Sequence, residues 1–335
     1  MTSKELANAL KIAINSVYGL TAAKFDNLFR DIRNKDNIVA KRGALFMVDL
    51  KEAVEAKGFT VVHIKTDSIK IANATPDIID FVMEFGKRYG YTFEHEATYD
   101  RMCLVNDAVY IAKYADADKC KDMYGYIPGD NKKHPNEWTA TGTQFAVPYV
   151  FKTLFSREPI EFEDMCETKS VKTALYLDMN EQLPDATQYE KELDKLETQY
   201  KKGQISDTIF EQSCKGLVDR IDECHDYQFI GKVGNFCPIK EGRGGGLLMA
   251  ERNGKYNAAT GTKGYRWLEA ELVKNNCEDA IDRSYYDNLV TEAAHSIAAY
   301  GDLEWFISND PYVSPEFVPG EQMAYPVYDE VLPFN

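Results

Sequence analysis

The chain has 335 residues, 44% of them apolar and 28% charged, with a net charge of −15. That is enough chain for two or three subdomains, and no apolar run approaches the ~18–20 residues of a membrane-spanning helix, which excludes a helical membrane protein. The acidity does not exclude a polyanionic partner, because it is concentrated: residues 276–335 hold one basic and twelve acidic side chains, against ten and seven in 1–60 and seven and three in 229–270.

The opening residues carry Glu5 and no small-residue cleavage site, so no secretory signal is expected and a cytoplasmic location follows. Residues 3–19 space Leu6, Leu10, Ile14 and Val17 by four, four and three, which predicts a helix. A second helix is expected over 37–57, stopped by Lys57-Gly58. FTVVHIKTDSIKIA (59–72) reads as a β-hairpin turning at Lys65-Thr66-Asp67. Pro76 opens a helix to about Gly90, and 91–114 alternates like two or three strands. This order predicts an α+β layer, helices on one face of an antiparallel sheet.

Residues 116–137 are polar, with Pro128-Gly129 and Pro135, and read as a linker or loop. Residues 143–155 look buried and interrupted by Pro148. A helical hairpin is expected over 188–227, with Tyr189, Leu193, Leu196 and Tyr200 on one stripe and Gly203 at the turn. Strands and tight turns are expected over 229–268, and an extended tail over 311–335. Seven cysteines without a CxxC pair read as free thiols, and His63, His95 and His225 as ordinary core or surface residues.

Two segments carry chemistry. In KIAINSVYG, Lys11, Asn15 and Tyr18 fall at i, i+4 and i+7, so one helix face offers an ammonium, an amide and a phenol suited to a nucleoside triphosphate. In HIKTDS, Asp67 sits at a rigid hairpin turn, a good place from which to hold Mg²⁺. Glu94 and Glu96 follow on an adjoining strand. A third segment, 229–270, mixes Lys232, Lys240, Arg243, Lys255, Lys263 and Arg266 with glycines, Tyr265 and Trp267, which suits a sugar–phosphate backbone read without sequence preference.

These segments, in this order, resemble family B DNA polymerases, particularly those of bacteriophages. KIAINSVYG resembles the finger-helix motif B, and FTVVHIKTDSIKI the palm hairpin of motif C, usually written YGDTDS. FEHEATYDRMCLVNDAVYIAKY resembles the palm strands that follow. The resemblance covers residues 4–115 closely and 140–310 more loosely. It implies the end of a finger helix at 1–20, a palm at 21–115, a linker at 116–140, a mostly helical thumb at 141–310 and a tail at 311–335. It further implies that Lys11 and Asp67 are catalytic, Lys11 contacting the triphosphate, and that Asn15 and Tyr18 line the nascent base pair. Asp67 and Glu96 would bind two Mg²⁺ ions. Primer–template DNA would meet Tyr110, Lys113, Arg243, Lys263 and Arg266. The tail EQMAYPVYDEVLPFN could dock on a sliding clamp.

The sequence departs from the family at three places. The first Asp of DTDS is Lys65, the Lys-Lys-x-Tyr element keeps only Tyr110, and no segment resembles motif A or an exonuclease domain. The resemblance therefore implies a fragment or split subunit, phage-encoded and working in the bacterial cytoplasm, that takes motif A and exonuclease from an upstream segment. The alternative is a non-catalytic DNA-binding or processivity subunit on a decayed polymerase fold.

Overall fold

A computed structural model describes residues 3–34, 37–262 and 264–308. The apolar spacing of the first segment forms α1 (Ser3–Thr21), but Leu6, Leu10, Ile14 and Val17 all remain exposed. The second helix, α2 (Ile38–Glu55), buries Phe46, Met47, Leu50 and Val54 and stops where Gly58 turns to φ 86°, a conformation that costs glycine little. Strands β1 (Val61–Lys65) and β2 (Ser68–Ile71) form the expected antiparallel hairpin. Helix α3 (Pro76–Arg88), with proline in its first turn, packs Ile78, Val82 and Phe85 into the same core as α2. Ile64 and Ile69, opposite each other on the hairpin, seal that core from below.

Strands β3 (Tyr99–Leu104) and β4 (Tyr110–Tyr114) follow as an antiparallel pair. The next segment corrects the expected linker. Residues 116–137 carry α4 (Ala117–Tyr124) and α5 (Gly129–Lys133) and lead into β5 (Trp138–Ala140), which joins β4 in a three-stranded sheet. Asp116 caps α4 by accepting from the Lys119 N–H at 2.7 Å, and Gly125 ends it at φ 77°. The segment's polarity is that of a short surface helix with both caps present. Asn131, fully buried, ties it to the sheet edge through the carbonyls of Thr98 and Ala115.

The chain divides into two units between Thr139 and Ala140. The second opens with α6 (Thr143–Ala146) and α7 (Pro148–Phe151), the latter continuing into a π-helical turn, Lys152–Ser156. Val147, before the proline, takes an extended conformation that separates the two helices. Helical residues outnumber strand residues in this unit, as expected, but a sheet organises its core. The core is built on a five-stranded antiparallel sheet of β6 (Glu167–Asp178), β7 (Tyr227–Ile239), β8 (Leu247–Arg252), β9 (Lys255–Ala258) and β10 (Arg266–Glu269), in the order β10-β7-β6-β8-β9. Between β6 and β7, the chain makes α8 (Thr187–Lys201) and α9 (Asp207–Asp222), the expected helical hairpin. Gly203 turns it at φ 67°, and Tyr200 stacks on Phe210 at 4.1 Å, yet neither helix has a buried residue. Helices α10 (Ala270–Asn276), α11 (Arg283–Ala298) and α12 (Leu303–Ile307) follow, and Val273, Tyr285 and Tyr286 join Trp267, Phe236 and Leu175 in the sheet's core.

The protein is thus α+β with antiparallel sheets. Among the described residues no helix is long and apolar enough to cross a membrane. The seven cysteines are free thiols. The tail segment proposed for clamp docking, 321–335, and Lys263 lie outside the described residues.

Candidate functional site

Lys65 pairs with Ser68, so the hairpin turns on two residues, Thr66 and Asp67. Thr66 takes φ 55°, a left-handed conformation that a β-branched side chain adopts under strain of about 1–3 kcal/mol. The turn is held because Ile64 and Ile69, just inside it, are locked against α2 and α3. Asp67 is exposed at the tip, and the Ser68 hydroxyl donates to the Lys65 carbonyl at 3.1 Å.

The side chains alternate across this hairpin. Its second face carries His63 opposite Lys70, with Lys65 two residues on. His63 is buried, and its Nε2 lies 2.9 Å from the Asp107 carbonyl, which can only accept. Its Nδ1 lies 3.4 Å from the Lys70 ammonium, which can only donate. These two partners suit a ring that donates from Nε2 and accepts on Nδ1. His63 thereby holds Lys70 over the Tyr110 ring, 4.8 Å from its centroid. Burial pushes the Lys70 ammonium below its ordinary pKa, repulsion from Lys65 adds to this, and Glu96 opposes it. Burial likewise pushes the Tyr99 phenol up, helped by Tyr110 and Tyr114. Tyr110 is buried in this layer. Lys113 lies 5.8 Å from the Trp138 ring, its pKa lowered by burial and then by Arg101.

Lys11, Asn15 and Tyr18 are exposed on α1. Asp67 and Glu96 are exposed too, and among the described residues no three His, Cys, Asp or Glu side chains converge as an ion's ligands would. A pair of divalent ions bridging one substrate needs carboxylates on more than one side. The donor set described here does not fit two Mg²⁺ ions unaided, and Lys65 and Lys70 add positive charge beside it.

The basic segment 229–270 differs from expectation. The Arg266 guanidinium donates to the Gly245 carbonyl at 2.9 Å and Asn180 Oδ1 at 3.1 Å, and its Nε lies 3.4 Å from Glu181. The glycine loop does approach an anion closely, but that anion is internal: the N–H groups of Gly242 and Gly244 each donate to the Glu181 carboxylate at 2.8 Å. Arg243 pairs with Asp279 at 2.6 Å, and Lys240 donates to the Asp279 carbonyl. Trp267, expected as a stacking surface, is fully buried. Arg266 thus clamps its own loop.

The sequence reading also missed Asp178. Fully buried at the end of β6, it accepts from the Asp226 N–H at 2.9 Å and pairs with His225 Nδ1 at 2.7 Å. The pair closes the base of the α8–α9 insertion. No spacing could announce it, since the partners lie on opposite sides of two helices. Comparison of the chain with protein-family models, with curated proteins and with solved structures finds no match.

Proposed function

We propose that this chain is the palm and thumb portion of a family B DNA polymerase, extending a primer 3′ end with dNTPs once another segment supplies motif A. The observation that carries the reading is Asp67 at the tip of a strained two-residue turn on a core-anchored hairpin. The exposed Lys11, Asn15 and Tyr18 on the helix before it support the reading. In this reading Lys11 meets the triphosphate, Asn15 and Tyr18 the nascent base pair, and Asp67 and Glu96 contribute part of a Mg²⁺ site completed by the missing segment. Bound Mg²⁺ would stabilise the attacking and leaving oxygens of phosphoryl transfer. The exposed apolar side chains of α1 fit a helix whose neighbours lie on a separate polypeptide. The gene would belong to a phage acting in the bacterial cytoplasm.

The test is reconstitution. Chain 1–335 alone should incorporate no nucleotide, and a co-expressed segment carrying motif A should restore Mg²⁺-dependent primer extension. Asp67→Asn, nearly isosteric, should abolish it throughout a Mg²⁺ titration. Robust extension by the chain alone, or full activity in Asp67→Asn, would overturn the assignment. Lys65 and Lys70, whose charges crowd the turn, favour a second reading: a non-catalytic DNA-binding subunit. It predicts DNA binding by the wild-type chain and no extension with any upstream segment.

A further inference from the structure

The second face of the β1–β2 hairpin holds ammonium groups that the fold does not neutralise. Lys152 and Lys169, at 21% and 14% side-chain exposure, each hold a carboxylate: Asp164 at 2.7 Å and Glu167 at 2.6 Å. Lys70 is also partly buried, but its close neighbours are the His63 imidazole and the Tyr110 ring. Glu96 reaches it only at longer range and counts for less than the repulsion from Lys65. Among the described residues neither Lys65 nor Lys70 is in an ion pair.

A partly desolvated cation such as Lys70 without a counter-ion is unfavourable, and a second cation on the same face, the exposed Lys65, makes it more so. Such a pair gains most from an anion that spans both ammonium groups. Phosphate suits this better than a carboxylate, because it offers three acceptor oxygens and carries more charge. His63, pinned on both ring nitrogens, keeps Lys70 from folding away into solvent, so the cation is preorganised rather than merely present.

We propose that Lys65 and Lys70, held on the second face of the hairpin with the Tyr110 ring as one wall, form a phosphate-binding site. The phosphate belongs either to a free nucleotide or to a nucleic-acid backbone, and only the identity of that carrier rests on the polymerase reading. His63 acts as a positioning residue for Lys70.

The experiment titrates the purified chain with inorganic phosphate, with dATP and with a short primer–template duplex, following the Lys70 and Lys65 ammonium and His63 ring resonances by NMR. Wild type should show saturable shifts at all three residues. Lys70→Gln and the exposed Lys65→Gln should each lose the inorganic-phosphate response, while Lys70→Arg should keep it. If the duplex is the carrier, each glutamine variant should flatten the slope of log K against log salt by about 0.9. An unchanged phosphate response in both glutamine variants would overturn the site, as would no response by wild type to any of the three probes. Binding of inorganic phosphate without dATP or the duplex would keep the site and count against the polymerase reading. Should Lys70→Gln fail to fold, Lys65→Gln carries the same decision.

Discussion

In the sequence the hairpin pointed to Mg²⁺ and the glycine-rich loop 241–246 to a phosphate backbone, and the structure treats the cations of the two in opposite ways. At the loop, an internal carboxylate occupies the N–H groups and Arg266 closes over it. At the hairpin, Lys65 and Lys70 share a face and, among the described residues, no carboxylate is in contact with them. The difference teaches that a basic residue's availability depends on long-range partners, not on local charge density. Glu181 lies in a short helical turn after β6, far from the glycines in sequence, and a spacing argument gives no access to it.

The largest expected effect tests what holds the hairpin up. Leu50 is fully buried between α2, α3 and the hairpin's apolar face. Leu50→Ala should cost about 2–5 kcal/mol by urea denaturation. Leu10→Ala on the exposed α1 should stay within about 0.5 kcal/mol. Equal losses would mean that α1 is covered in solution, for example by self-association.

Next comes the loop. Arg266→Ala removes two hydrogen bonds and leaves the Glu181 carboxylate, 10% exposed, without its cation. A cost of about 2–3 kcal/mol is expected, with no change in the salt slope of DNA binding. A slope flattened by about 0.9 with stability intact would restore Arg266 as a phosphate contact.

What was legible follows the same line. Periodicity found α2, α3, the β1–β2 hairpin and the α8–α9 hairpin, because each is specified by near neighbours such as Gly58, Pro76 and Gly203. The α4–α5 segment was missed although Asp116 and Gly125 announced its caps, because its polar composition outweighed them. The five-stranded sheet was underestimated because its central strand β6 pairs with β7 across the whole helical insertion. At the candidate site, Asp67 on a tight turn was readable. That His63 would be buried and would hold Lys70 was not, since Asp107 and Tyr110 come from another hairpin.

A smaller effect sharpens the hairpin side. Lys70→Gln removes a partly desolvated charge that has no carboxylate partner, so thermal stability should change by no more than about 0.5 kcal/mol. That separates it from Arg266→Ala, where a partner is stranded. A loss comparable to Arg266→Ala, read by the same denaturation, would show that Lys70 serves the fold.

The smallest effect concerns Arg243, the loop cation whose pairing is exposed. Its hydrogen bond and charge hold the Asp279 carboxyl below the ordinary carboxylate value. A carboxyl whose pKa is depressed by folding stabilises the native state above the unfolded pKa, about 4 for Asp, and loses that contribution as pH falls through the lower folded value. Both side chains face water, so screening keeps the contribution small. Wild type and Arg243→Gln should therefore differ slightly in melting temperature at pH 7 and low salt, and converge as pH falls through the lowered Asp279 value. Because this pair costs little to open, Arg243, unlike Arg266, could meet the phosphate backbone of the proposed function without disturbing Glu181. If the melting difference persists undiminished at low pH, Arg243 acts through packing of its stem and not through the Asp279 carboxylate.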